Sequence, residues 1–145
     1  MSDMLQDPMV LRQIIMDHYE YPRNHQLVED QNYHSKHMAS ESCIDDITVQ
    51  ALFDGETIKD IRFDGVACTI ATASTSIMTE LLKNKTKKEG KKIIDEYFKM
   101  IDQQSFDDNV LEEAIAFRSV GQQPNRIKCA TIGWNAIAEL ITESE

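Results

Sequence analysis

The sequence predicts an α+β domain: a small antiparallel β-sheet with an N-terminal helix and several C-terminal helices packed on one face. Three observations predict it. Apolar residues recur at helical spacing between Leu11 and Tyr19. Residues 46–65 alternate apolar and polar around an Asp-Gly turn, and everything from Cys68 onward reads as helix. With 145 residues, 41% of them apolar and 28% charged, the chain can bury a core without disulfide staples, as one domain over 1–145.

Taken in order, Asp7-Pro8 reads as an N-cap followed by proline in the first helical turn. Leu11, Ile14, Ile15, His18 and Tyr19 then share a face. Tyr21-Pro22 should stop this helix, because a residue before proline is pushed out of the α region. Residues 23–41 read as an exposed polar connection with room for one short edge strand. Ile47, Val49, Ala51 and Phe53 alternate, Asp54-Gly55 offers a turn, and Ile58, Ile61 and Phe63 follow less regularly, which predicts a two-stranded hairpin. Ile70, Ile77, Met78 and Leu81 mark a helix whose many Ala, Ser and Thr residues permit close packing. Ile94, Tyr97, Phe98 and Ile101 mark a second. Val110, Leu111, Ala114, Ile115 and Phe117 mark a third, capped by Asp107 or Asp108. Gly133, Ala136, Ile137, Leu140 and Ile141 mark the last.

Charge excludes some partners. The net charge of −10, from 25 acids against 15 bases, sets up no positive field to attract nucleic acid or an anionic membrane. The basic run "KNKTKKEGKK" (83–92) reads as a solvated turn and helix start. No apolar run approaches the roughly 20 residues of a membrane span. The acidic start "MSDMLQDPMV" is unlike a secretory signal, so a cytoplasmic location is expected. Three widely spaced cysteines do not make a disulfide framework, which leaves core packing, metal ligation or thiol chemistry.

The cysteines share a kind of place. Cys43 lies just before the first hairpin strand. Cys68 lies in the turn from the second strand into a helix, and Cys129 at the predicted start of the last helix, past Gly121 and Pro124. Side chains at element ends can converge at one edge of a sheet. Helix starts also favour thiolate over thiol through their unpaired N–H groups and dipole. Three thiolates and one carboxylate, such as Asp45 two residues after Cys43, would make a tetrahedral shell suited to zinc. Buried, inert cysteines are the competing reading, and the shared placement favours a site. His34 and His37 compete for the fourth position, whereas His18, on an apolar helix face, reads as a satisfied core histidine.

"IIMDHYEYPRN" (14–24), "FDGVACTIATASTSIMTELLK" (63–83) and "RIKCATIGWNAI" (126–137) resemble the SufU proteins of iron–sulfur cluster assembly, within the wider IscU and NifU N-terminal superfamily. The likeness covers most of the chain. The long interval between Cys68 and Cys129, and lysine rather than histidine just before Cys129, look like the SufU branch. The resemblance implies the SufE/IscU-like fold and a zinc-containing sulfur carrier. It implies zinc ligands Cys43, Asp45, Cys68 and Cys129, with Cys43 accepting persulfide sulfur and Arg126 steering it. The implied partners are a SufS-like cysteine desulfurase and a SufBCD-like cluster assembly complex. Strand alternation and the Cys-x-Asp spacing prefer Asp45 to Asp46 as the carboxylate. The family's glycine after the first cysteine is Ile44 here, which is expected to alter the conformation of that loop. Two rival readings remain: a scaffold for transient iron–sulfur cluster assembly, since thiolates also suit iron, and a structural zinc module.

Overall fold

Asp7 accepts the Met9 N–H at 2.9 Å, and helix α1 runs from it over Pro8–Glu20, ending before Pro22 as the Tyr-Pro pair predicts. The structure, a computed structural model, describes residues 6–39 and 44–145. The sequence-based assignment of Cys43 therefore lies outside the described residues. α1 buries Leu11 and His18. His18 Nδ1 is 2.8 Å from Ser76 Oγ, and the Arg23 N–H donates to the same oxygen at 2.8 Å, so this histidine is the satisfied core residue expected.

The sheet has three antiparallel strands in the order β1 (His34–Ala39), β2 (Asp46–Asp54), β3 (Thr57–Val66). β1 is the short edge strand for which the polar connection left room. β2 and β3 form the hairpin, linked through Gly55, whose φ of +59° suits glycine. The uneven spacing of Ile58, Ile61 and Phe63 has a structural cause. Leu52 pairs with Asp60 but Phe53 pairs with Ile58, so Lys59 is an extra residue that resets the face. All three apolar residues are thereby buried on the same side.

Cys68 caps helix α2 (Thr69–Leu82). Thr86 and Glu89 form a reciprocal capping box for α3 (Lys87–Ile101), each side chain accepting the other's N–H at 3.0 Å, so the basic run is a turn and helix start.

The third helical segment differs from the expectation of an α-helix. It is two 3-10 stretches, Asp108–Val110, capped by Asp107, and Glu112–Gln122. Glu112 adopts φ +46°, which separates them. Leu111, Ala114, Phe117 and Val120 then recur every third residue, the 3-10 period, and all are buried. Helix α4 (Pro124–Glu143) also departs from the expectation. It begins at Pro124, not at Cys129, because proline suits the first helical position as well as it ends the preceding segment.

α4 crosses the inner face of β1 and β2, α2 packs on β3, and α2 and α4 lie side by side. Their approach depends on Gly133, where an added Cβ would sit 2.4 Å from Thr75 Oγ1. Gly133→Ala is expected to destabilise the fold by about 1–3 kcal/mol through overpacking at this seam, measured by urea unfolding.

Candidate metal centre

The site is assembled from one end of the sheet and two helices. Asp45 immediately precedes β2 and is 1% exposed, while its neighbour Asp46 points outward, with an oxygen 2.6 Å from His37 Nε2. The sheet closes tightly here because β3 has a glycine opposite. Gly65 adopts φ +137°, and a Cβ on it would lie 2.2 Å from the Asp46 carbonyl oxygen. A side chain at Gly65 would force the strands apart where Asp45 enters. Gly65 plays a part that the sequence reading did not assign; the Asp64-Gly65 pair at the end of a strand was the available signal.

Cys68 is bound to Asp45 through backbone and side chain. Its N–H donates to Asp45 Oδ1 at 2.8 Å, and its Sγ lies 3.7 Å from Oδ2. The same sulfur accepts the Ala71 N–H at 3.4 Å, as an N-cap side chain does. Cys129 comes from the second turn of α4 and is buried. Cys68 therefore stands at a helix start as expected, and Cys129 does not, since its backbone lies within α4.

One potential ligand atom from each of Asp45, Cys68 and Cys129 lies within 4.8 Å of the other two. Two thiolates on a tetrahedral zinc stand about 3.8 Å apart, so a small contraction would bring all three donors to one ion. Two sulfurs and a carboxylate oxygen are a donor set that zinc accepts, with a fourth position left for another ligand. Both histidine candidates stand elsewhere: His37 is turned to Asp46, and the His34 ring lies 5.8 Å from that of Phe53. Arg126 is exposed on the first turn of α4, three residues before Cys129. Ile44 and Val66, at 67% and 64% exposure, flank the strand ends beside the site.

A profile for the NifU-like N-terminal domain matches residues 11–143. The zinc-dependent sulfurtransferase SufU of Bacillus subtilis is 33% identical over 92% of this chain and 90% of its own. The iron–sulfur cluster assembly scaffold protein IscU of Streptococcus pyogenes is 34% identical over 90% of this chain and 82% of its own. The crystal structure of a candidate cluster assembly scaffold protein for the SUF system, from Fervidobacterium islandicum, superposes with a TM-score of 0.80. It is 33% identical, over 88% of this chain and 93% of that one.

The two described cysteines differ in access, since Cys68 is partly exposed and Cys129 is 5% exposed. In chelator-treated protein, brief alkylation followed by peptide mass spectrometry is expected to modify Cys68 several-fold faster than Cys129. Equal rates would contradict this placement.

Proposed function

Because the chain belongs to the NifU-like N-terminal domain family, we propose that it is a zinc-dependent sulfur carrier of iron–sulfur cluster assembly. It accepts persulfide sulfur from a cysteine desulfurase on Cys43 and passes it to the complex that builds the cluster. The observation that carries this reading is the convergence of Asp45, Cys68 and Cys129, drawn from three separate elements, within 4.8 Å. Its likeness along nearly the whole chain to a zinc-dependent sulfurtransferase supports it.

In this reading Asp45, Cys68 and Cys129 hold the ion from the protein side, and Cys43, two residues before Asp45, is the fourth ligand. Bound zinc keeps the thiols deprotonated at neutral pH while blunting their nucleophilicity. Cys43 would therefore have to be free of the ion to react. Its thiolate attacks the outer sulfur of the donor persulfide; a new sulfur–sulfur bond forms on Cys43, the donor's bond breaks, and the donor cysteine leaves as thiolate. Sulfane sulfur moves with no net oxidation or reduction. Arg126, exposed beside the turn that bears Cys129, attracts the anionic persulfide.

The cluster scaffold is the second reading, supported by the likeness to the Streptococcus pyogenes scaffold protein and by the affinity of thiolates for iron. The carrier reading is favoured by the resemblance to the SufU branch, in which lysine rather than histidine stands directly before the last cysteine, as Lys128 does here.

Metal analysis with a desulfurase assay separates these readings. Purified wild type is expected to be colourless with about one zinc per chain. Asp45→Ala should lose most of it, and Asp46→Ala should keep it. Cys43→Ser should no longer accept sulfur from the desulfurase persulfide. A brown, oxygen-sensitive product would favour the scaffold, and undiminished transfer to Cys43→Ser would sink the proposed acceptor.

A further inference from the structure

Cys68 and Cys129 sit on different helices, so the gap between their sulfurs is set by how α2 and α4 are held together. The seam that holds them is buried yet polar. Ser74, on α2, donates its hydroxyl to the Ala130 carbonyl of α4 at 2.6 Å and accepts the Trp134 Nε1–H at 3.1 Å. Tyr97, from α3, donates to the same carbonyl at 2.7 Å and lies 3.2 Å from Ser74 Oγ. Its ring stacks on Trp134 with centroids 3.8 Å apart and planes 3° from parallel. Burial holds the Tyr97 phenol far above its usual range, against a smaller opposing effect of Ser74, so it remains a donor.

Ala130 directly follows Cys129, and Ser74 stands six residues beyond Cys68, about 9 Å along the helix axis. An apolar seam of similar shape could hold the helices with comparable stability, because buried polar groups gain little net energy over well-packed apolar ones. Hydroxyls aimed at one carbonyl add direction, since sliding or rotating α4 would leave buried donors unpaired.

We propose that Ser74 and Tyr97 are positioning residues for the metal centre, registering α4 against α2 so that the Cys68 and Cys129 sulfurs meet at one ion. This rests on the metal-binding reading above. Neither residue is a ligand: they act on Cys129 through the Ala130 carbonyl, and on its distance to Cys68 through the shared seam.

The test uses full-length wild type, Tyr97→Phe and Ser74→Ala. Zinc affinity is measured by competition with a chromogenic chelator, coordination geometry by the absorption spectrum of the Co2+ form, and apo-protein stability by urea unfolding. Tyr97→Phe keeps the stacked ring and removes one hydroxyl, so it decides the matter if Ser74→Ala fails to fold. The expected result is zinc binding about 10- to 100-fold weaker, as for other residues that orient metal ligands, with altered cobalt thiolate bands. A purely structural seam would lower the urea midpoint while leaving zinc affinity and the cobalt spectrum at wild-type values; that outcome overturns the inference alone. Wild type that binds neither ion overturns the metal-binding reading, and this one with it.

Discussion

The close approach of α2 and α4 is the constraint on which the rest depends. Gly133 has no side chain where Thr75 presses against it, and this lets the two helices run side by side beneath the sheet. One helix begins at Cys68 and the other bears Cys129 in its second turn. A wider spacing would part the two sulfurs, and it would also lift α4 from β1 and β2, where Asp45 enters the sheet. Core packing and the candidate metal centre thus share one geometric requirement.

Asp45 joins the sheet to this helical pair. A carboxylate buried this deeply is costly unless polar partners compensate, and the Cys68 N–H supplies one at 2.8 Å. The same contact fixes the start of α2, so the N-cap, the strand end and a potential ligand are settled together. Gly65 permits this by leaving room for the Asp46 carbonyl against β3. Among the described residues, the three potential ligands Asp45, Cys68 and Cys129 are each anchored by an element whose position is determined elsewhere in the core, which favours a preorganised site.

The interval between Cys68 and Cys129 supports the site without supplying ligands to it among the described residues. It forms α3 and the 3-10 segment, and α3 contributes Tyr97 to the seam beside Cys129. At the start of α3, Thr86 and Glu89 do the capping, and Lys87 is buried with its ammonium over the Phe53 ring and 3.4 Å from the Ser144 carbonyl oxygen.

Local patterns in the chain determined much of this. Asp7-Pro8, the hairpin around Gly55, and the inward Asp45 beside an outward Asp46 follow from interactions within a few residues or from strand alternation. Those effects are readable wherever neighbours in sequence are neighbours in space. Tertiary packing decided the remainder. The 3-10 segment follows a three-residue repeat that competes with an α-helical reading of the same apolar residues. Pro124 can end one helical segment or open the next, and α4 took the second use, moving Cys129 inward by more than a turn. The shared placement of the cysteines pointed towards a site, but their distances depend on contacts across dozens of residues. Gly133 against Thr75, Gly65 against Asp46 and Ser74 against Ala130 are such contacts, and no periodicity in a single chain records which small residue will face which partner.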